Sequence, residues 1–562
     1  MPVYLNLPPL VLVVGGVLLA LAALVFAGIS RKQALRKKLL NAWGQKPAAR
    51  QLDEDVLEDI GSYHHNRREF QHYPGLVDDL TWQDLDGKAL FHQMNLCQSM
   101  AGSEVLYDLL RDTAAPAEEL QRREERIQVY QMDEQARIDC QVALHKAGKA
   151  PFHGAARQLF APSITKPDCP FMYYMLAALP FALVLAGFFL PLLFLLIIPV
   201  LLVNAILYFK SDLRFLAQAA VLRQLGSVVG AGQALSKVKS DALNDQLEQI
   251  RALSQAFPKM KRWLPYFRME RGIDPMAGFM IDFYRIFFLV DMVSLCRISG
   301  ELQKGMAQMR ELYRLVGQMD AEIAIAAWRN RKDTCVPVFH EGLSFCTKGL
   351  VHPLLENAVP NDFTWDHNCL LTGSNASGKS TFIKALAINA ILAQTIHTCT
   401  ASSIMLCRSR VMTAMAVKDS ILEGDSYYIA EIKALKRILD GISDQGLPLL
   451  CLVDEILRGT NTVERIAASV AVLRYFPGKN VLCINATHDV ELTGLLGGQY
   501  HNYHFTEELR DGGMVFTYTI HEGPATGRNA ISLLQRLGFE DSITKQAEAL
   551  AQHFDQLGTW VK

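Results

Sequence analysis

Leu10 to Ile29 is an uninterrupted apolar run of about twenty residues, long enough as a helix to cross the roughly 30 Å hydrocarbon layer of a bilayer. A second stretch, Phe171 to Phe209, also lacks a charged residue and is about twice that length. Pro191 lies near its middle, where a helix would break, so the pattern predicts two spans in a hairpin, with a re-entrant loop as the alternative. Pro180 and Pro199 fall inside the two spans, which requires neighbours to satisfy the carbonyls they free. Arg31, Lys32, Arg36, Lys37 and Lys38 follow the first run, and Lys166, Lys210 and Arg214 flank the second. The positive-inside rule then puts the N-terminus outside and the bulk of the chain in the cytoplasm. Met1 to Pro9 carries no Lys or Arg, unlike a cleavable signal peptide.

Between and beyond these runs the spacing is amphipathic. From Leu213 to Arg331, and most clearly from Phe287 to Ala327, apolar residues recur at intervals of three and four, which predicts long packed helices. No Gly- or Pro-rich linker separates them from the first cytoplasmic block, Asp53 to Arg157, so both are expected in one helical domain interrupted by the hairpin. After Lys332 the texture changes. Cys369 to Thr372, Leu447 to Val453 and Val481 to Ala486 are short continuous apolar runs, the pattern of buried parallel strands, alternating with helical segments. An α/β domain from about Pro337 to Gln546 follows.

Composition sharpens this picture. Half of the 562 residues are hydrophobic and mean hydropathy is +0.12, consistent with some apolar surface facing lipid. Lys and Arg total 56 against 57 Asp and Glu, which argues against a globally basic nucleic-acid binder and leaves only local patches. Eleven Cys without a CxxC pair read as reduced thiols, not as a disulfide framework or zinc site.

The candidate chemistry sits at the ends of the predicted strands. Gly373-Ser374-Asn375-Ala376-Ser377-Gly378-Lys379-Ser380 fits the phosphate-loop pattern GxxxxGK[ST], directly after one strand and before the helical Thr381 to Ile396. Such a loop turns backbone N–H groups toward phosphates; Lys379 reaches the β- and γ-phosphates of ATP and Ser380 ligates Mg²⁺. The next strand ends in Asp454-Glu455, placing Asp454 in the Mg²⁺ shell and Glu455 as activator of the attacking water. A third ends at Thr487-His488, suited to sensing the γ-phosphate.

Together, TGSNASGKSTFIKALAINAILAQTI, LLCLVDEILRGTNT and VLCINATHDVEL resemble the ATPase domain of MutS-type proteins, a branch of the ABC superfamily. The run Arg458-Gly459-Thr460-Asn461-Thr462 is the most distinctive part. VHPLLE, Gly317-Gln318-Met319-Asp320 and LTWQDLDGKALFHQMNLCQSMAGSEVLYDLL extend the similarity into a MutS-like core, or lever, domain. The resemblance implies that Gly424 to Glu431 is the signature segment, with Ser426 contacting nucleotide held by the opposite subunit of a homodimer. Tyr427-Tyr428 replace the usual Thr-Phe, and Ala376-Ser377 the usual Met-Gly. It also implies DNA as a ligand and a DNA-repair or membrane partner. The mismatch-reading Phe-x-Glu of the family has no counterpart ahead of the core; Phe339-His340-Glu341 matches it by chance at the entry to the ATPase sheet. Lys259, Lys261, Arg262, Arg268 and Arg271, interleaved with Trp263, Tyr266 and Phe267, suit lipid head groups better than DNA.

The expected protein is a membrane-anchored α plus α/β chain with three transmembrane helices, multi-pass in the cell membrane. Its expected parts are an anchor (1–30), a cytoplasmic segment opening the core domain (31–170), a hairpin (171–209), a long-helix lever (210–334) and an ABC-type P-loop ATPase domain (335–562). Its expected activity is ATP hydrolysis in a dimer, coupled to lever movement, with mismatch-repair-like DNA binding. The alternative is an ATP-driven membrane switch or scaffold that binds no DNA.

Overall fold

The computed structural model describes residues 9–557 apart from 47–53, 72–76, 150–154, 168, 211–212, 268–274, 375–376, 416–426, 444–445, 459, 511–512, 526–530, 532–533 and 536–537. The chain divides into two units: 1–74, 91–109 and 121–331 form the first, and 75–90, 110–120 and 332–562 the second.

In the second unit the short apolar runs are strands. Ten are described: β1 (Val338–Phe339), β2 (Phe345–Leu350), β3 (Asn361–Trp365), β4 (Cys369–Thr372), β5 (Ser403–Leu406), β6 (Arg410–Ala414), β7 (Leu449–Asp454), β8 (Val481–Ala486), β9 (His501–Arg510) and β10 (Gly513–Glu522). A six-stranded sheet has the order β10-β9-β4-β8-β7-β6, parallel except for the β9–β10 hairpin, and a smaller sheet runs β1-β5-β2-β3. Every residue of β4, β7 and β8 is buried, which accounts for their unalternating sequence. β7 begins two residues later than expected, because Pro448 has no N–H for the ladder and Leu447 is exposed. The helix Lys379–Ile396 leaves β4 as expected, starting two residues earlier than Thr381.

Residues 77–90, which the sequence assigns to the helical core domain, fall in this unit. Asp84 accepts from Thr413 Oγ1 at 2.7 Å and Met415 N at 3.1 Å, Lys384 pairs with Asp86 at 2.7 Å, and Arg437 pairs with Asp78. The segment is thus tied both to the helix behind the phosphate loop and to the helix Tyr427–Gly441.

The helical unit is organised around Met306–Arg329, most of whose residues are buried. The single heptad-like pattern becomes two helices, Val290–Lys304 and Met306–Arg329, broken at Gly305. A Cβ there would lie 2.8 Å from the Phe257 ring, so packing explains the glycine. Met306–Arg329 packs closely on Met100–Leu109 through glycines on both helices: a Cβ on Gly317 would lie 2.6 Å from the Ala101 carbonyl, and one on Gly102 would strike the Asp320 carboxylate. Asp320 accepts from Gln98 N at 2.8 Å, Ser99 N at 2.7 Å and Ser99 Oγ at 2.5 Å, holding the turn ahead of the second helix, where Ser99 Oγ accepts from Gly102 N at 3.0 Å. These contacts give the Gly317 to Asp320 and MAGSE motifs a packing role.

The charge-free stretch folds into the helix Pro170–Gly187, a tight 3₁₀ turn at Pro191–Leu196 and the helix Ile197–Lys210. The break falls just before Pro191, as expected. A Cβ on Gly187 would sit 2.9 Å from the Phe194 ring, so glycine lets the two arms close. Of these residues only Pro180, Gly187 and Asn204 are buried; Phe189 is 88% exposed and Leu192 77%. Asn204 Nδ2 donates to Leu176 O at 3.0 Å, the carbonyl that Pro180 deprives of its helical partner, and to Phe287 O at 2.8 Å. Nearby, buried Asp291 accepts from Tyr208 OH at 3.0 Å and pairs with Arg223 at 2.6 Å and Arg285 at 2.9 Å.

Among the described residues two helices, not three, are long and apolar enough to cross a membrane. Leu10 to Ile29 lies on the helix Pro9–Ala42, which runs unbroken into the basic residues, but most side chains of that run lie outside the described residues.

Candidate functional site

The site is built where β4, β7 and β8 end side by side, so three loops far apart in sequence converge. Gly373 (φ +144°) and Gly378 (φ +107°) bracket the phosphate loop. A Cβ on Gly373 would come within 3.1 Å of the Phe505 carbonyl, and one on Gly378 within 3.1 Å of the Tyr518 ring. Only glycine permits this turn, which leaves the start of the helix Lys379–Ile396 facing the opening.

A cavity of about 510 Å³ opens at these strand ends. Ser374, Gly378, Lys379, Ser380, Thr381, Asp454, Glu455 and His488 all line it, so most of the residues singled out in sequence are brought together. Gly373 and Ser377 support the loop instead: Gly373 O accepts from Lys379 Nζ at 2.7 Å, and Ser377 Oγ donates to Ser374 O at 2.9 Å. Asn375, Ala376 and Ser426 lie outside the described residues, as does Gly459.

Lys379 Nζ also donates to Ser374 O at 2.8 Å and lies 3.4 Å from His488 Nε2. Burial pushes its ammonium down to about 8, although Asp454 and Glu455 pull the other way. His488 Nε2 is 3.0 Å from Glu455 Oε1. Burial works against ionisation of Glu455, but the His488 hydrogen bond and the charge of Arg458 outweigh it, and its carboxyl is held below the usual range. Glu455 is therefore an anion in contact with an imidazole, the state an activator of water needs. Its backbone has φ +62°, and Leu457 has φ +55°. This conformation disfavours L-residues and sits directly beside the chemistry.

Three contributors have no clear signal in the sequence. Arg458 pairs with Glu455 and lies 3.6 Å from Asp454, so it neutralises both carboxylates. Arg465 grips Asp489 at 2.6 Å and 2.9 Å, fixing the turn that carries His488. Tyr518 reaches the cavity because β10 breaks register between Phe516 and Ile520, where Asn361 Nδ2 donates to Tyr518 O at 3.0 Å and Ile520 N donates to Asn361 Oδ1 at 2.8 Å. Arg458 stands in the quoted run, but its partners do not follow from it.

The donor set fits a nucleotide with a divalent cation. A cation and a helix start face a cavity wide enough for a phosphate chain, beside a wall containing Leu355, Val359, Phe382 and Tyr518. Exposed Ser380 and the Asp454 carboxylate supply the hard oxygens that Mg²⁺ prefers.

Residues 369–555 match the family MutS domain V. The chain is similar to the DNA mismatch repair protein MutS of Thermus thermophilus, 29% identical over 247 residues, which cover 43% of this chain and 30% of that protein. Similar values hold for the DNA mismatch repair protein MutS of Lactobacillus delbrueckii subsp. bulgaricus, 29% over 263 residues, covering 44% and 30%. For the protein of that name from Aquifex pyrophilus they are 28% over 253 residues, covering 43% and 29%. The matching region thus spans about a third of the length of these curated relatives.

Proposed function

Because this chain carries an ATPase domain of the MutS family, we propose that it hydrolyses ATP in a homodimer and converts nucleotide binding into movement of its helical unit at the cytoplasmic face of a cell membrane. The observation that carries this is the convergence of Lys379, Asp454, Glu455 and His488 on one cavity. Lys379 exchanges its loop carbonyls for phosphate oxygens. Ser380 and Asp454 hold Mg²⁺, whose chemistry is to neutralise charge developing on the phosphates. Glu455, kept anionic and aimed by His488, orients and deprotonates the attacking water. Arg458 must release the carboxylates for this to occur.

The signature segment, with Ser426, completes the site of the partner subunit in this reading, so specific activity should rise with protein concentration. A turnover independent of concentration across the whole accessible range would argue for a monomeric enzyme.

Membrane attachment is supported by the hairpin, almost none of whose apolar side chains is fully buried and most of whose large ones are exposed. A soluble core helix would bury them. The three-span topology adds Leu10 to Ile29 as an anchor. Resistance to carbonate extraction tests it, and recovery of the full chain in the soluble fraction would refute it.

DNA handling related to mismatch repair is the family-implied output, supported by the relatives being DNA mismatch repair proteins. Detergent-solubilised full chain should retain duplex DNA at low salt and release it steeply as salt rises. Intact ATP turnover without any retention would favour the second reading, an ATP-driven membrane switch. The ties from Asn204 to Phe287 O and from Tyr208 to Asp291 favour that reading, since they join the hairpin to the helices of its own unit.

A further inference from the structure

A second cavity, of about 810 Å³, lies in the helical unit between the N-terminal helix and the segments around residues 135–146 and 234–239. Arg31, Lys32, Lys146, Lys237 and Lys239 line it, and all five are exposed. The single carboxylate in its wall, Asp139, is paired with Arg36 at 2.8 Å. Five cations against one neutralised anion make this a site for an anionic ligand.

Its position identifies the ligand class. Arg31 and Lys32 follow Ile29 on one unbroken helix, Pro9–Ala42, and at 1.5 Å per residue they sit within about 5 Å of the end of the apolar run. Cations at that depth lie level with lipid phosphates. A ligand that presents a phosphate to the groove and continues along the apolar run is amphipathic, which a phospholipid is and a nucleic acid is not. We propose that this groove binds the head group of an anionic phospholipid, with its phosphate among the cations that line it. The inference rests on the membrane reading above. It goes beyond the general expectation of lipid contact by naming a built site and a charge preference.

The test uses the full chain in detergent, titrated with phosphatidylglycerol or phosphatidylcholine and followed by native mass spectrometry. A Lys237→Gln, Lys239→Gln double variant removes two exposed cations that flank no expected span. Phosphatidylglycerol should bind in preference to phosphatidylcholine, and the double variant should bind it about 30-fold more weakly, two cations at roughly 1 kcal/mol each. Its phosphatidylcholine binding and its flotation with vesicles should be unchanged. Equal binding of the two lipids, or an unaltered double variant, would overturn the proposal while leaving the anchor in place. Weaker duplex DNA binding with lipid binding unaffected would also overturn it, making the groove a nucleic-acid track. Release of the wild-type chain by carbonate would bring down the anchor and the lipid site together.

Discussion

The two units both bury charge, and they use it differently. In the α/β unit β4, β7 and β8 are apolar and buried, and Lys379, Asp454, Glu455, Arg458 and His488 collect where they end, lining a cavity. Several of their pairings are ones a ligand would replace. In the helical unit the ions lie inside helix contacts and protein groups satisfy them: Arg126 on Glu322 at 2.7 Å, Arg329 on Glu124 at 2.6 Å, and Asp320 on the Ser99 turn. What distinguishes a group that handles ligand from one that specifies packing is access to a cavity, more than burial or charge.

The sharpest way to break this comparison is at the strand ends. Lys379→Ala should abolish nucleotide binding, whereas Glu455→Gln should keep it and lose turnover by about 10²- to 10⁴-fold. Nucleotide titration and steady-state hydrolysis separate the two. Normal turnover in Glu455→Gln would mean that another group activates the water. The same logic predicts that neither change unfolds the protein.

The converse holds in the helical unit. Asp320→Ala leaves the Gln98 and Ser99 N–H groups and the buried Ser99 hydroxyl without their acceptor and should cost about 3 kcal/mol. Gly102→Ala should cost about 1–3 kcal/mol by overpacking. Denaturant unfolding measures both, and nucleotide affinity of the folded fraction should not move. A selective loss of affinity at unchanged stability would erase the distinction between the units.

A pH series sharpens it further. Burial raises the Glu104 carboxyl from 4.5 to about 8, although Tyr313 OH donates to it at 2.9 Å. The folded state therefore holds a proton that the unfolded chain loses. The stability this confers is complete below pH 4.5 and is lost as pH rises toward 8, with a slope of at most about 1.4 kcal/mol per pH unit. Glu104→Gln, which mimics the protonated acid, should flatten that slope.

The smallest effect is the titration of Lys379. Its ammonium titrates near 8 in the free protein, so nucleotide affinity should weaken by up to about fivefold between pH 8 and 9 as the charge is lost. Isothermal titration at both pH values checks it, and a flat profile would place the lysine's titration elsewhere.

The site was legible wherever its chemistry is contiguous. Gly373 to Ser380, Asp454-Glu455 and Thr487-His488 each combine a buried strand with a polar tip, and that local pattern is enough to name the residues. The hairpin was equally plain, since an uncharged stretch broken near Pro191 has few other ways to fold. The break at Gly305 and the position of residues 77–90 were not legible, because each depends on what the segment meets.

Sequence alone determined the phosphate loop, the strand ends, the resemblance to MutS-type proteins and the existence of a long apolar hairpin. These follow from neighbouring residues and from periodicities that the backbone imposes. Tertiary structure alone decided that Arg458 shields both carboxylates, that Arg465 holds the His488 turn through Asp489, that a bulge in β10 delivers Tyr518, and that Asn204 satisfies the carbonyl freed by Pro180. Each of these needs side chains to meet in one geometry. In all but the Arg458 pairing the partners also come from separate elements. A linear pattern carries the residue types for such contacts but not the packing that brings them within hydrogen-bond distance.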